Sequence, residues 1–168
     1  MDGVDPEIAF DGAPPEPEAP AGIAMRPYDP VRDAEATYRL VDTAFTEWEG
    51  RDPSTFEEWA TYSIRHQAFS PALSRLAFDG DELVGAALSF DYDGVDEGWI
   101  QQVATKATHR HRGIARALLH ETFRAFHDRG KARCGLSTES RTGALGLYEK
   151  VGMHVRRSYT RYVKPLAT

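Results

Sequence analysis

The spacing of hydrophobic and polar residues along the first half of the chain predicts strands and helices in mixed order. Residues 22–26 form a short apolar run that indicates a strand. Apolar residues then recur at helical spacing over 33–46. A second helix is predicted to begin at Ser54, because Ser54 and Glu57 have the spacing of a capping box. Two strand-like runs flank residues 79–81, whose turn composition predicts a β-hairpin.

The second half of the chain continues this mixed pattern. Its predicted elements are a strand at 98–105, a helix from 113 to about 129, a strand at 132–137, a short helix at 142–150 and an alternating strand at 153–164. Because three antiparallel strands precede a strand–helix–strand unit, the sheet is expected to be mixed and mostly antiparallel. The predicted fold class is therefore α/β, with a twisted sheet flanked by helices.

The first twenty-one residues differ in composition from the rest of the chain. Five prolines stand among aspartates and glutamates, which is typical of an extended tail or linker. Within this segment, residues 7–10 are apolar enough to dock as an edge strand. We therefore expect a tail or linker over residues 1–21 and one folded domain over 22–168.

Composition and charge narrow the possible functions. The chain has 168 residues, of which 41% are hydrophobic, and a net charge of −6, which fits one ordinary globular domain. Residues 1–50 hold twelve acidic and three basic side chains, so the remainder is slightly basic. A negative chain argues against nucleic-acid binding, which needs a broad basic surface. The acidic first third favours a cationic substrate.

Cysteine and histidine content further limits the possible sites. The single cysteine, Cys134, excludes an internal disulfide, so we expect a reducing, cytoplasmic location. No apolar run approaches the roughly 20 residues of a membrane span. His109 and His111 lie two residues apart, but there is no second close pair of histidines and a metal site needs three or four ligands. We therefore predict no metal site.

The stretch from His109 to Gly113 is strongly basic and stands between a predicted strand and a predicted helix. The first turn of a helix has free N–H groups and a partial positive charge, which favour an anion. Gly113 would allow a ligand to approach the backbone, and the arginines would add charge-assisted hydrogen bonds to phosphate oxygens. The glycine spacing matches neither the dinucleotide fingerprint nor the nucleoside-triphosphate loop. The segment therefore predicts a phosphate site of another kind.

Two motifs in this order resemble those of a known family. Residues 110–115, Arg-His-Arg-Gly-Ile-Ala, fit the R/Q-x-x-G-x-G/A loop of the GNAT superfamily of N-acyltransferases, and residues 142–153, TGALGLYEKVGM, are similar to its second signature. The resemblance covers about residues 22–164. In detail it is nearest to one half of the tandem acetyltransferases of the mycothiol-synthase type. Ala115 replaces the last loop glycine, and the asparagine expected before the second helix is absent.

This resemblance implies the GNAT fold, with acetyl-CoA as the acyl-donor cosubstrate. The implied cofactor-binding residues are Val103, Ala104 and Thr105 at the thioester and pantetheine arm, Arg110, His111, Arg112, Gly113, Ile114, Ala115 and Arg116 at the pyrophosphate, and Ser140 or Arg141 beside the pantetheine. Tyr148 is the implied general acid. An ordinary tyrosine pKa near 10 keeps its hydroxyl protonated at neutral pH, so it could donate a proton to the departing thiolate.

The acceptor side of the site is less well determined by sequence. Glu97 is the predicted base, with Asp96 and Glu139 as alternatives, because all three lie near predicted strand ends. The competing interpretation is that they are solvent-facing turn acids. Trp48 and Trp59 are predicted to line a substrate pocket, and the competing interpretation is that they pack in the core.

The predicted function is transfer of an acetyl group from acetyl-CoA to a primary amine, by direct attack in a ternary complex. The alternative is a non-catalytic domain that binds or senses acyl-CoA. The acceptor is expected to be a small-molecule or peptide amine, with no nucleic-acid or membrane partner. Because the tandem relatives carry two such domains in one chain, we also expect that two copies of this chain can form a homodimer.

Overall fold

The computed structural model describes residues 2–48, 50–162 and 164. The helices and strands in chain order are β1 (Asp2–Ala9), β2 (Ile23–Pro27), α1 (Ala34–Thr46), α2 (Phe56–Tyr62), β3 (Arg75–Asp79), β4 (Glu82–Phe90), β5 (Glu97–Thr105), α3 (Ile114–Asp128), β6 (Arg133–Leu136), β7 (Thr138–Glu139), α4 (Leu145–Lys150) and β8 (His154–Thr160). Short 3-10 turns lie at Pro71–Leu73, Ala107–His109 and Ser140–Thr142.

The strands form one mixed sheet. β2, β3, β4 and β5 follow one another as antiparallel neighbours, and β5 then pairs with β6 in parallel. β6 and the two-residue β7 both lie against one side of β1, whose other side pairs with β8. The predicted α/β class, with a mixed and mostly antiparallel sheet between helices, is confirmed.

The strand β1 corrects the prediction of a tail over residues 1–21. Asp2–Ala9 lies inside the sheet rather than at its edge, because β6 and β7 pair with one side of it and β8 with the other. Its residues from Gly3 to Pro6 are buried. The tail prediction is therefore wrong for these eight residues, and the folded domain begins before residue 22.

A proline and an aspartate conceal this strand in the sequence. Proline is tolerated inside a sheet at a bulge, and the register between β1 and β8 shifts between Asp5 and Pro6. Asp5 is only 1% exposed. Its Oδ2 accepts hydrogen bonds from Nε of Arg157 at 2.8 Å and from Nη2 at 2.5 Å. A buried charge requires such a partner, and here the partner lies in the last described strand.

Helices cover both faces of the sheet. α1 and α2 pack on one face, around the fully buried Trp59 and Leu88 of β4. α3 packs on the opposite face, where Phe126 meets Ile100 of β5, and Tyr148 of α4 belongs to the same cluster. The burial of these two apolar layers is the main stabilising contribution to the fold.

The helix α2 begins one residue later than its sequence signature predicts. Oγ1 of Thr55 accepts the N–H of Glu58 at 3.2 Å, and the N–H of Thr55 donates to Oε2 of Glu58 at 2.8 Å. The capping box is therefore Thr55–Glu58, and the predicted box at Ser54 and Glu57 is wrong. Ser54 donates its backbone N–H to Oδ1 of Asp42 in α1 instead. This tertiary contact favours a helix start after Thr55 over one after Ser54.

Gly98 in β5 lies directly beneath the ring of Phe126 in α3. A Cβ at this position would overlap three ring atoms of Phe126, whose side chain is fully buried. We predict that Gly98→Ala lowers the free energy of unfolding by about 1–3 kcal/mol, because the ring cannot move without straining the core. Urea denaturation measures this.

Gly12→Ala is the matched control for this substitution. A Cβ at Gly12 meets no atom within 4 Å, so its effect is expected to stay within about 0.5 kcal/mol. If the two variants unfolded at the same urea concentration, the proposed clash at Gly98 would be wrong.

Candidate functional site

The sheet opens between β5 and β6. These strands pair only from Glu97 to Ile100 and from Arg133 to Leu136, and beyond these residues they separate. The opening forms a cleft of about 990 Å³. Among the predicted site residues, those that line it are Val103, Ala104, Thr105, Arg110, His111, Gly113, Ile114, Ala115, Arg116, Glu139, Tyr148 and Trp48.

A bulge in β5 lies next to the point where the strands separate. Leu88 of β4 pairs with Gln102 and Ser89 pairs with Ile100, so Gln101 is an extra residue in β5. One extra residue reverses the faces on which the following side chains lie. Ile100 accordingly packs on the α3 side, whereas Ala104 packs in the cluster of α1 and α2. Beyond the bulge, one edge of β5 borders the cleft.

The loop before α3 has a backbone conformation that depends on two special residues. Gly113 has a φ of 81°, and His111 has a φ of 61°, the one positive φ of a non-glycine residue among residues 2–48, 50–162 and 164. A Cβ at Gly113 would approach only Cγ of Pro20, at 3.8 Å. The left-handed φ therefore favours glycine at this position, while the protein's own atoms leave space for a Cβ there.

The N-terminus of α3 faces the cleft. The first hydrogen bond of this helix joins the N–H of Ala117 to the carbonyl oxygen of Gly113 at 3.0 Å. The N–H groups of Ile114, Ala115 and Arg116 come before it and have no partner within the helix. All three residues line the cleft. Free N–H groups and the positive end of the helix dipole favour an anion at this place.

The basic side chains of the loop are not equivalent. Arg116 and His111 line the cleft, whereas Arg112 is exposed and does not line it. Arg110 lines the cleft but is already held by the protein. Its Nε donates to the carbonyl oxygen of Thr105 at 3.2 Å, and its Nη1 pairs with Oε2 of Glu47 at 2.6 Å. The sequence cannot distinguish these four side chains, because their directions depend on the turn.

Tyr148 lies in α4 at the other side of the cleft. Its side chain is 7% exposed and packs against the α3 cluster. Burial raises the pKa of Tyr148 from its usual value to about 12, because a phenolate would be poorly solvated there. The hydroxyl therefore stays protonated at neutral pH and remains available as a hydrogen-bond donor.

The segment before α4 occupies the place of the missing asparagine. Glu139, Thr142 and Gly143 line the cleft, and Ser140 does not. Oγ1 of Thr142 donates to the carbonyl oxygen of Glu139 at 2.9 Å, which holds this turn together. Arg141 belongs to the same turn, but its side chain lies outside the described part of the structure. Thr142 is a cleft residue to which the sequence analysis assigned no role.

Glu97 is corrected as the candidate base. It is the first residue of β5, about 25 Å along the strand from Thr105 at roughly 3.3 Å per residue, and it does not line the cleft. Its Oε2 accepts a hydrogen bond from Nη1 of Arg156 at 2.9 Å. Asp96 is exposed beside it. Of the three candidate acids, Glu139 alone lines the cleft, where it pairs with Arg51.

The two tryptophans predicted for the pocket have different positions. Trp48 lines the cleft and is 39% exposed. Trp59 is fully buried in the α1–α2 cluster and does not line the cleft, so its placement in the pocket is corrected. Its indole Nε1 donates to Oε1 of Gln102 at 3.0 Å. Gln102 does line the cleft, and sequence analysis did not single it out.

Family comparison agrees with this geometry. Residues 34–153 match the Acetyltransferase (GNAT) family. The chain belongs to the GNAT acetyltransferase family. Membership confirms the predicted family and the predicted fold, and it supports acetyl-CoA as the cosubstrate.

Two relatives are considerably longer than this chain. A GCN5-related N-acetyltransferase from Sphaerobacter thermophilus has 40% identity and a TM-score of 0.78, over 94% of this chain and 49% of its own. The mycothiol acetyltransferase of Thermobispora bispora is 30% identical in an alignment 148 residues long, which covers 82% of this chain and 48% of that protein. The chain therefore spans about half the length of these relatives.

A more distant structure shares the fold. The PaiA N-acetyltransferase from Thermoplasma acidophilum, solved in complex with coenzyme A, has a TM-score of 0.61 at 17% identity and covers 77% of this chain and 88% of its own. Within the part of this chain that the structure describes, no group of three or more His, Cys, Asp or Glu could hold a metal ion. In the same residues, no helix is both long enough and apolar enough to cross a membrane.

The raised pKa of Tyr148 predicts a loss of stability in alkali. A tyrosine in the unfolded chain ionises near pH 10, whereas folded Tyr148 ionises at about 12. Its contribution to stability is therefore complete below pH 10 and is lost as the pH rises to 12. We predict that the free energy of unfolding of Tyr148→Phe falls less steeply across this range, by about 1 kcal/mol per pH unit.

Urea denaturation at several pH values between 9 and 12 measures this slope. Burial also raises the pKa of Tyr28 to about 12. The variant therefore keeps the part of the pH dependence of stability that Tyr28 contributes. Tyr162→Phe is the control, because Tyr162 is 89% exposed. Identical slopes for wild type and Tyr148→Phe would show that the hydroxyl is solvated in the folded protein.

Proposed function

We propose that this chain is an N-acetyltransferase that transfers the acetyl group of acetyl-CoA to a primary amine by direct attack in a ternary complex. One observation carries the proposal. The open edge of β5, the free N–H groups at the start of α3 and the buried hydroxyl-bearing Tyr148 all border one cleft. Direct transfer needs the donor and the acceptor side by side. A cleft between two separated strands, open on both faces of the sheet, allows this.

The residues present suit a coenzyme A donor. The diphosphate would lie at the N–H groups of Ile114, Ala115 and Arg116, with the guanidinium of Arg116 adding a charge-assisted hydrogen bond. The pantetheine arm, which is rich in amides, would lie along Val103 and Thr105, where the strand edge has no neighbouring strand. Backbone groups that lack a strand partner are suited to amide ligands.

The chemical step assigns a role to Tyr148. The amine nitrogen forms a bond to the acetyl carbon while the bond from that carbon to sulfur breaks. The sulfur leaves with the electron pair and takes the proton of the Tyr148 hydroxyl, which afterwards regains a proton from solvent. The nitrogen must also lose a proton. We propose that the carboxylate of Glu139 acts as the base and accepts this proton directly or through water, because it is the candidate base that lines the cleft.

The acceptor is proposed to be a small-molecule or peptide amine. The acidic excess of residues 1–50 favours the approach of a cation. The non-catalytic acyl-CoA-binding alternative is not favoured, since the family is one of acetyltransferases. A nucleic-acid function is disfavoured by the net charge of −6. The homodimer and the cytoplasmic location stay predictions.

Binding of acetyl-CoA tests the donor site. We expect wild-type protein to bind acetyl-CoA with a sub-millimolar Kd in isothermal titration. Arg116→Ala is expected to weaken binding about 3- to 10-fold, because it removes one exposed charge-assisted hydrogen bond. Arg112→Ala is the matched control, since Arg112 belongs to the same loop but does not line the cleft. The absence of binding by wild-type protein would contradict the proposed function.

Tyr148→Phe tests the role of the hydroxyl. We expect kcat for thiol release to fall about 100-fold, the usual scale for losing a positioned proton donor, while the Kd for acetyl-CoA stays within about twofold. Phenylalanine keeps the ring that packs against the α3 cluster. The assay uses a panel of amines that includes aminoglycosides, polyamines, amino sugars and peptides. An equal loss of binding and turnover would make Tyr148 a structural residue.

A further inference from the structure

Gln102 is a polar side chain in an otherwise apolar layer. It is 6% exposed. It lies on the α1–α2 face of the sheet because the bulge at Gln101 reverses the face on which the following side chains lie. Its Oε1 accepts the indole N–H of Trp59 at 3.0 Å, and Trp59 has no solvent exposure. A buried amide in such a layer needs hydrogen-bond partners. Trp59 supplies a partner for the oxygen only.

This hydrogen bond determines which way the amide group points. An indole nitrogen can donate but cannot accept, so Oε1 of Gln102 must face Trp59 and Nε2 must face away from it. Within the part of the chain that the structure describes, Nε2 has no hydrogen-bond partner. It is also not among the fully buried side-chain nitrogen and oxygen atoms that lack a partner, so it is accessible to solvent. Gln102 lines the cleft. The end of the amide that points away from Trp59, Nε2, is therefore the end available to a molecule in the cleft, on the side of α1 and α2.

We propose that Gln102 determines acceptor specificity, by donating a hydrogen bond from Nε2 to an oxygen atom of the acceptor. The acceptor class is then an amine that carries a hydroxyl or carbonyl oxygen close to its nitrogen. An amide NH₂ cannot accept a hydrogen bond from the reacting amine, so the contact must be to another atom of the acceptor. This inference rests on the proposed function, whose acceptor it describes.

The position of Gln102 relative to Tyr148 supports this assignment. Tyr148 belongs to the cluster on the α3 face, whereas Gln102 bonds to Trp59 on the opposite face. The donor thiol is assigned to the Tyr148 side. A molecule that enters from the α1–α2 side therefore meets Gln102 as it approaches the β5 edge. A donor left unpaired in the complex costs free energy, so acceptors without the oxygen are disfavoured.

The test compares three amines of similar shape: leucinol, leucinamide and isoamylamine, of which the last lacks the oxygen. We expect wild-type kcat/KM to favour leucinol or leucinamide over isoamylamine by about tenfold or more, the scale of one hydrogen bond. In Gln102→Met the ratio should fall about tenfold, to the value that the different basicities of the three amines set, because methionine has a similar volume and no N–H group. The Kd for acetyl-CoA should stay within about twofold.

Gln102→Glu is the companion variant. Its carboxylate still accepts the Trp59 N–H but offers no N–H to the cleft, so discrimination should again be lost. A wild-type ratio that persists in both variants would overturn the proposal. An equal fall of kcat for all three amines would also overturn it, since Gln102 would then act on the thioester rather than on the acceptor.

A second measurement does not depend on turnover. In wild-type protein saturated with coenzyme A, the side-chain amide resonances of Gln102 are identified by their nuclear Overhauser contacts with the Trp59 indole, to which this amide is hydrogen-bonded. They should shift on titration with leucinol or leucinamide and stay in place with isoamylamine. Absence of any shift overturns the proposal, even if the variants fail to fold. A selective shift without thiol release from any amine supports the contact, while it contradicts the acetyltransferase function.

Discussion

The separation of β5 from β6 is the feature on which the rest of the site depends. Their parallel pairing stops at Ile100 and Leu136, and each strand then keeps a partner on its outer side only. β5 remains paired with β4 as far as Thr105, and the chain beyond β6 remains paired with β1. Backbone N–H and C=O groups require partners, so a sheet can open in this way only where water or a ligand reaches the edge. An open cleft meets this condition.

The strand β1 is therefore part of the site and not an accessory to the fold. Because it pairs with β6, β7 and β8, it keeps the strands on the far side of the cleft in place where β5 separates from them. Asp2 and Gly3 themselves line the cleft. A Cβ at Gly3 would overlap the Tyr159 ring, and the Tyr159 hydroxyl lies 2.5 Å from Oγ of Ser137. Gly3 thus leaves room for the Tyr159 side chain, which packs over β1 on this side of the cleft.

Features that a local pattern determines could be predicted from the sequence, and features that need a distant partner could not. The helix α3 and Gly113 follow from apolar spacing and from the turn before it. β1 could not be found in this way, since Asp5 is acceptable there only beside Arg157. The side-chain directions of Arg112 and Trp59 likewise depend on tertiary packing. Arg112 belongs to the predicted loop before α3 and Trp59 to the predicted helix α2, yet neither lines the cleft.

One local irregularity explains why the two sides of the reaction can meet. The α3 cluster with Tyr148 and the α1–α2 cluster with Trp59 lie on opposite faces of the sheet, and an unbroken sheet would keep them apart. The extra residue at Gln101 directly follows Ile100, where the pairing with β6 ends. The same two residues thus open the sheet and turn Gln102 toward the opposite face. Under the proposed function, donor and acceptor chemistry can therefore act from separate faces on one carbon atom at the strand edge between them.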